Sequence, residues 1–254
     1  MQNPFVFGAG GVLSTDIAVP DHERELKFYS SILTTGETPL WQEDLMNNLG
    51  QPVIGLGERV PEYEFLPLQW MPHFQVADVS AAATSAVEKG GKNLMQAEAG
   101  DVHGDWAVLV DPFGAGFGVI PAVEGEHDAN LSIETIGRIS WLSLRVPDLA
   151  KGREFYQQVL GWSPKTVDAA DSGSTEKIEM WIGDQNAVAD IEQSGGDEDN
   201  IPPAWLIHLP VGDLSESLKQ VSTGGGEIVR EPDDSGRAII RDPVGIYLAL
   251  QANN

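Results

Sequence analysis

An internal duplication constrains this 254-residue sequence more than any other feature. Three landmarks recur in the same order in its two halves: V-P-D leading to F-Y, W-x-x-H leading to V-x-D, and D-P-x-G. In the first and second half they begin at Val19 and Val146, Trp70 and Trp205, and Asp111 and Asp242. Because chance does not produce three ordered pairs of this kind, the chain consists of two copies of one structural plan.

Two of the landmarks mark the passage from a strand into a helix. In V-P-D an apolar run ends at proline, and the aspartate, Asp21 or Asp148, supplies an oxygen that caps the helix N-terminus. V-x-D does the same at Asp78 and Asp213, after which apolar residues recur at helical spacing until a glycine run ends them. The pattern therefore predicts two strand-helix junctions in each copy, with the Phe-Tyr pair packed inward.

The third landmark, D-P-x-G, places Asp, Pro and Gly where a type I turn favours them, so each copy is predicted to close with a β-hairpin. Short apolar runs at residues 52–56 and 187–191 predict further strands. Residues 123–135 are acidic and polar without periodicity. We therefore expect two modules, residues 5–122 and 136–251, joined by an acidic linker at 123–135.

The composition excludes several classes of partner. Lys and Arg total 15 against 39 Asp and Glu, a formal charge of −24 that repels nucleic acid and anionic membranes. The absence of cysteine removes disulfides, thiolate metal sites and cysteine nucleophiles. The first residues lack the basic start of a signal peptide and the apolar length of a membrane span. We expect a cytoplasmic protein with neither nucleic acid nor membrane as a partner.

The order of these landmarks, over nearly the whole chain, resembles the glyoxalase/bleomycin-resistance/extradiol-dioxygenase (vicinal oxygen chelate) superfamily. The tandem arrangement with W-x-x-H before V-x-D is similar to two-module glyoxalase-related proteins. The resemblance implies an α+β fold of four βαβββ units. These units would form two paired glyoxalase-like modules whose curved mixed sheets enclose ligand sites on their concave faces.

Members of this superfamily hold a metal with His, Gln or Glu at three positions in each copy, and these positions can be located from the landmarks. Each lies seven residues before the Asp of V-P-D, seven before the Asp of V-x-D, or seven after the Asp of D-P-x-G. The six residues found there are Ser14, Met71, Gly118, Trp141, Leu206 and Ala249. Because no combination of them supplies imidazole and carboxylate ligands, we expect no cofactor, and a divalent metal only at an atypical site.

Polar residues on the faces that would carry the metal ligands are the candidate pocket residues. His73 and His208 lie two residues beyond the second ligand positions, so strand alternation places them on the concave faces. By the same alternation, polar side chains of the first strand of each copy lie on these faces. We expect them to line otherwise apolar concave cavities together with the histidines. The full candidate set is Asp16, His73, Trp141, Ser143, Arg145 and His208.

These observations favour one function and leave two open. The first is binding of a small-molecule ligand in the concave cavities without the usual metal, by a chain that is a monomer or a homodimer. The second is a metal-dependent lyase or dioxygenase with an atypical site, and the third is a protein-interaction module. The sequence leaves open whether the chain is an enzyme.

Overall fold

The computed structural model of the chain describes residues 4–97, 104–125, 136–166, 176–184, 186–194 and 201–253. Most of the predicted linker, residues 126–135, lies outside the described residues, and so does the polar stretch 167–175. No helix within the described ranges is long and apolar enough to cross a membrane.

Four helices and fourteen strands are present in the described residues. The helices are α1 His22–Leu33, α2 Val79–Glu88, α3 Leu149–Leu160 and α4 Leu214–Thr223, and a 3₁₀ turn spans Pro61–Tyr63. The strands of the first copy are β1 Val12–Val19, β2 Ile54–Glu58, β3 Met71–Val76, β4 Lys92–Gln96, β5 Ala107–Val110 and β6 Gly116–Pro121. Those of the second copy are β7 Trp141–Val146, β8 Ser163–Thr166, β9 Lys177–Ile182, β10 Asn186–Gln193, β11 Trp205–Val211, β12 Glu227–Arg230, β13 Arg237–Arg241 and β14 Tyr247–Ala252.

All four helices begin as the sequence predicts. The side chain of each landmark aspartate accepts a hydrogen bond from the backbone N–H three residues later, which satisfies a donor that the helix itself leaves unpaired. These caps are Asp21, Asp78, Asp148 and Asp213. The predicted strand-helix junctions are therefore confirmed.

The strands form a six-stranded sheet in the order β2-β1-β3-β6-β5-β4 and an eight-stranded sheet in the order β12-β13-β14-β11-β7-β10-β9-β8, counted over the described residues. Both sheets are mixed, because β1/β2, β3/β6, β7/β10 and β11/β14 are parallel while the hairpins are antiparallel. The predicted α+β fold with mixed sheets is confirmed. The first βαβββ unit is reduced: residues 34–53, which are all described, hold only the isolated bridge of Trp41 to Asn47 where the second copy has β8 and β9.

The chain divides into two compact units, each of which draws on both copies. Unit 1 consists of Met1–Leu13, Met71–His127 and Trp141–Trp205. Unit 2 consists of Ser14–Trp70, Asp128–Ser140 and Leu206–Asn254. The modules expected at residues 5–122 and 136–251 follow the repeat along the sequence, and their boundaries remain a prediction.

The core of unit 1 contains a buried hydrogen-bonded network built from all three landmarks. The hydroxyl of Tyr156 on α3 donates to Asp111 Oδ2 (3.1 Å), and Trp205 Nε1 donates to the same hydroxyl (3.1 Å). The other oxygen of Asp111 closes the D-P-x-G turn by accepting the backbone N–H groups of residues 113–115 at 2.8–2.9 Å. Burial raises the pKa of Asp111, and these donors offset part of that cost.

Unit 2 repeats the network with the copies exchanged. Tyr29 on α1 donates to Asp242 Oδ2 (2.7 Å), and Trp70 Nε1 donates to the Tyr29 hydroxyl (3.1 Å). Asp242 Oδ1 closes its own turn by accepting the N–H groups of Val244 and Ile246. The sequence correctly predicts that the tyrosines are core residues and that D-P-x-G is a turn, but it does not predict that the two meet.

One buried carboxyl distinguishes unit 2 from unit 1. Glu25 on α1 is fully buried beside Asp242. The pKa of Glu25 is raised to about 7, mainly because the side chain is buried and secondly because Asp242 beside it is negatively charged. The matching residue on α3 is Gly152, which packs against the side chain of Val146. Unit 2 therefore holds a carboxyl that favours its protonated form in the folded protein.

The burial of Glu25 predicts a pH-dependent stability. Its folded pKa lies above its unfolded value, so its stabilising contribution is complete below about pH 4.5 and is lost as the pH rises through about 7. Replacing Glu25 with Gln keeps the shape and removes the ionisation. We expect E25Q to exceed the original protein in free energy of unfolding by roughly 2 to 3 kcal/mol at pH 8, measured by urea denaturation.

The matched control is Glu23→Gln, which removes the same charge from an exposed position on the same helix. We expect E23Q to leave the pH dependence of unfolding unchanged. Equal pH profiles for E25Q and the original protein would show that Glu25 does not carry the effect.

Candidate functional site

The first strand of the second copy, β7, presents one side to α3 and the other away from it. Gly152 of α3 packs against Val146 of β7 and Ile191 of β10, which fixes the helix side of both strands. Because side chains alternate along a strand, Trp141, Ser143 and Arg145 point to the opposite side. Three of the six predicted pocket residues therefore share one face in unit 1.

The neighbouring strands β10 and β9 complete this face. In the parallel register of β10 with β7, Asp190 lies opposite Ser143 and Glu192 opposite Arg145. In the antiparallel register of β9 with β10, Glu179 lies opposite Asp190 and Lys177 opposite Glu192. We call this set the β7–β10 face, and its members are Trp141, Ser143, Arg145, Lys177, Glu179, Trp181, Asp190 and Glu192.

A buried carboxylate organises the centre of the β7–β10 face. Asp190 is 3% exposed, and its Oδ2 accepts the indole N–H of Trp141 at 2.7 Å and forms an ion pair with Lys177 Nζ at 2.8 Å. An ionised carboxylate is stable in such a place only with donors of this kind. Trp141 occupies the position of the first metal ligand, and here it is fixed as a hydrogen-bonded aromatic side chain.

Two further pairs extend the face on either side of Asp190. Arg145 Nε forms an ion pair with Glu192 Oε1 at 2.6 Å. On the outer strands Trp181 donates its indole N–H to Glu179 (3.1 Å), and Lys165 of β8 lies 3.6 Å from the Trp181 ring centroid. The face therefore combines aromatic rings, cations and carboxylates in fixed positions. Such a surface offers both donors and acceptors to a ligand.

The equivalent face in unit 2, on β1 and β2, has small residues at most of these positions. Asp16 of β1 lies opposite Gly55 of β2, and Ala18 lies opposite Gly57. Ser14 takes the place of Trp141. The polar array of the β7–β10 face is thus not a general property of the repeat but belongs to its second copy.

The two histidines lie on strands, His73 on β3 and His208 on β11. His73 of β3 pairs with Gly118 of β6, and its ring packs on the Gly118 backbone so closely that an added Cβ would lie 2.5 Å from His73 Cδ2. The imidazole thus fills the space of the side chain at the third ligand position. His208 of β11 is buried and pairs with Ala249 of β14.

The structure divides the predicted residues between the units. His73, like the three residues of β7, belongs to unit 1, whereas Asp16 and His208 belong to unit 2. Whether the two histidines contact a ligand remains a prediction. Sequence reasoning missed the partners on β9 and β10, although the alternation of charged and apolar residues in K-I-E-M-W-I and A-D-I-E-Q was a usable signal.

The residues present do not fit the divalent metal of the superfamily. The six ligand positions carry hydroxyl, thioether, indole, aliphatic or no side chains. Across the described ranges, no group of three or more His, Cys, Asp or Glu side chains is arranged to hold a metal ion. A hard or borderline divalent cation requires such nitrogen and oxygen ligands.

Comparison with known families gives two matches. A sequence model described as the Glyoxalase/Bleomycin resistance protein/Dioxygenase superfamily matches residues 138–250. A second, described as a glyoxalase-like domain, matches residues 13–120. Together the two matches cover both copies of the repeat.

Two curated relatives come from Streptomyces. The anthracycline biosynthesis protein DnrV of Streptomyces peucetius is 27% identical over 130 residues, covering 45% of this chain and 46% of the relative. The anthracycline biosynthesis protein DauV of Streptomyces sp. (strain C5) is 26% identical with the same coverage. The chain spans about half the length of these relatives.

Solved structures share the fold at low sequence identity. A Mn(II)-bound glyoxalase from Novosphingobium aromaticivorans has a TM-score of 0.60 at 14% identity, covering 98% of this chain and 83% of that one. The 2,3-dioxygenase LapB from Pseudomonas sp. KL28 has a TM-score of 0.56 at 14% identity, covering 97% and 93%. A variant of homoprotocatechuate 2,3-dioxygenase from Brevibacterium fuscum has a TM-score of 0.58 at 14% identity, covering 94% and 70%.

The β7–β10 face predicts a specific cost for removing its central carboxylate. Asp190→Ala would leave the buried indole N–H of Trp141 without its acceptor and would separate Lys177 from its counter-ion. We expect the free energy of unfolding to fall by about 2 to 4 kcal/mol, measured by guanidinium denaturation.

Glu154→Ala is the matched control, because it breaks the largely solvent-exposed ion pair of Glu154 on α3 with Lys89, the residue after α2, in the same unit. An exposed pair of this kind contributes less than about 1 kcal/mol. If both substitutions cost the same, the network around Asp190 does not stabilise the unit.

Proposed function

Since the chain belongs to the glyoxalase/bleomycin resistance protein/dioxygenase superfamily, we propose that it binds a small organic molecule at the β7–β10 face without the divalent metal of that superfamily. The observation that carries the proposal is the buried and hydrogen-bonded side chain of Trp141. At a position where members of the superfamily carry a metal ligand, this chain has a buried indole that is hydrogen-bonded to Asp190. The site is therefore suited to hold an organic surface rather than a metal ion.

The exposure of the residues on this face supports ligand access. Trp141, Arg145 and Asp190 are buried, whereas Ser143 and Trp181 are partly exposed, as are the charged groups of β9 and Glu192. The buried residues thus form a fixed base, and the partly exposed ones form a rim. A rim with donors and acceptors at set distances selects the ligand, while the aromatic rings supply contact area.

The chemistry of the face favours a planar aromatic ligand with phenolic or carbonyl oxygens. Indole rings bind flat aromatic surfaces by stacking, and Ser143 and Lys177 can donate to ligand oxygens. Each cation on the face already has a carboxylate or ring partner, which favours an uncharged or weakly acidic compound. The names of the curated relatives refer to anthracycline biosynthesis. The ring system of an anthracycline contains a planar hydroxyanthraquinone, which has this chemistry.

Binding can be tested with an uncharged dihydroxyanthraquinone, kept in solution by a small fixed amount of dimethyl sulfoxide and followed by quenching of tryptophan fluorescence and by calorimetry. We expect saturable binding and an increase in melting temperature, because a ligand that binds only the folded state stabilises it. Trp181→Leu should weaken binding by about tenfold or more by removing a ring at the rim.

The control variant is Trp106→Leu, which changes another partly buried tryptophan of unit 1 just before β5. It should alter affinity by no more than about twofold. Equal losses in the two variants, or no saturable binding by the original protein, would contradict the proposal.

The metal-dependent alternative is tested separately. Calorimetric titration of untagged protein with Mn(II), Fe(II) and Zn(II) should show no stoichiometric binding, and a chelator should leave the melting temperature unchanged. Stoichiometric metal that is lost in His73→Ala or His208→Ala would instead support an enzyme with an atypical site.

A further inference from the structure

The edge strand β2 differs from its counterpart in the second copy by what lies beside it. β10 pairs with β7 on one side and with β9, antiparallel, on the other. β2 pairs with β1 and stands at the end of its sheet. Among the described residues, no strand takes the place of β9 beside β2. The repeat thus contains the same edge twice, once covered by a strand of its own chain and once, as far as the described residues extend, without a covering strand.

The hydrogen bonds of β2 show which backbone groups face the open edge. Thr15 N–H donates to Val53 O (3.0 Å) and Arg59 N–H donates to Val19 O (2.9 Å), which sets the phase of the parallel ladder. The backbone groups of Ile54, Leu56 and Glu58 therefore point outward. The imidazole of His22 bonds to Leu56 O (3.0 Å), and Val60 N–H donates to Glu58 O (3.1 Å), which leaves the outward N–H groups directed at the edge.

We propose that the open edge of β2 is a docking site for an extended segment of a partner protein. The segment would pair antiparallel with β2 as β9 pairs with β10, because both edges have the same strand polarity and the same place in the repeat. Backbone hydrogen bonding of this kind is what an exposed strand edge offers to another chain. This interaction is separate from the ligand proposed for the β7–β10 face.

The side chains of β2 indicate a basic partner segment. In the second copy, Lys177 of the covering strand reaches Asp190 of β10. The residue of β2 in the place of Asp190 is Gly55, which is exposed, and a Cβ added to it would lie 3.3 Å from the Cβ of Asp16. A lysine or arginine on the docked segment can therefore extend across Gly55 toward Asp16, as Lys177 extends toward Asp190.

The segment that follows β2 adds exposed aromatic surface with acidic residues between. Tyr63 is 39% exposed and Phe65 is 54% exposed, and Glu62 and Glu64 next to them are also exposed. Arg59 holds this segment in place by donating to the backbone carbonyls of Glu64 (2.7 Å) and Leu66 (2.6 Å). Fixed aromatic side chains beside carboxylates suit a segment that carries apolar and basic residues.

The acidic charge of this chain favours a partner protein over a second copy of the chain as the occupant of the β2 edge. Pairing β2 with β2 of another molecule would place two sets of Glu58, Glu62 and Glu64 at one interface. The formal charge of −24 opposes such an approach at moderate salt. The edge therefore favours a chain of opposite charge.

The test uses a probe taken from the protein itself. A fluorescein-labelled peptide with the sequence of residues 176–183, which includes β9, and with Glu176→Lys and Glu179→Lys to make it basic, should bind the full-length protein with an affinity in the range of roughly 10 to 100 μM, measured by fluorescence polarisation. The same peptide with Lys177→Glu should bind about tenfold more weakly. A peptide with N-methyl groups on its edge-facing residues should not bind, because the methyl groups would keep its carbonyls away from the outward N–H groups of β2.

The protein variant Asp16→Asn should weaken binding of the peptide by about threefold to tenfold. Its control, Asp234→Asn, changes an exposed aspartate of the same unit and should have no effect. Hydrogen exchange should slow at the amides of Ile54, Leu56 and Glu58 when the peptide is bound.

Three results would overturn the proposal. The first is absence of binding up to roughly 1 mM peptide. The second is protection at β10, β4, β8 or β12 in place of β2, which would mean strand exchange or binding at another edge. The third is self-association of the protein that Gly55→Lys abolishes, since the edge would then serve a second copy. These outcomes concern β2 and not the β7–β10 face, so they do not depend on whether the protein binds a hydroxyanthraquinone.

Discussion

Each compact unit depends on a buried hydrogen bond from a tyrosine hydroxyl to the aspartate of a D-P-x-G turn. The tyrosine comes from one copy of the repeat and the aspartate from the other, so the bond joins residues more than 40 positions apart in unit 1 and more than 200 apart in unit 2. A tryptophan completes each network by donating to the tyrosine hydroxyl. The tyrosine of F-Y, the tryptophan of W-x-x-H and the aspartate of D-P-x-G, which recur in both halves, thus supply the members of one network. The loss of any member leaves a polar group in the core without its partner, which is among the costlier defects a fold can carry.

The parts of the fold that could be predicted from the sequence are those set by neighbours along the chain. A helix cap at Asp78 needs only the N–H of Ala81, and the turn at Asp111 needs only the next four residues. Periodicity identified Tyr156 as a core residue in the same way. The partner of its hydroxyl could not be predicted, because apolar spacing states which face is buried and not what lies against it. The exchange of copies between the two compact units is likewise a property of long-range pairing, to which local pattern is blind.

The candidate site shows the same division. Parity along β7 predicts that Trp141, Ser143 and Arg145 share one face, and the count from the landmarks predicts that the six ligand positions do not bind a metal in the superfamily's manner. The acidic partners Asp190 and Glu192 were missed because their value depends on the register of β10 against β7. A register shift between Ala187 and Ala189 also interrupts the alternation before Asp190, so parity counted from the start of the strand would have assigned it to the wrong side. A charged residue in a strand becomes a site residue only when its neighbour is known.

Because each compact unit combines segments of both copies, the duplication affects how such a protein can evolve. A polypeptide with one copy would have to find its tyrosine or its aspartate partner in a second polypeptide, and every substitution would then appear at both symmetric places at once. Joining the copies in one gene removes that coupling. Glu25 of the first copy stands where the second copy has Gly152. Trp141 and Asp190 of the second copy stand where the first copy has Ser14 and Gly55. The first half can thus hold a buried acid and a bare strand edge while the second holds an aromatic face, an asymmetry that a symmetric pair of identical chains cannot encode.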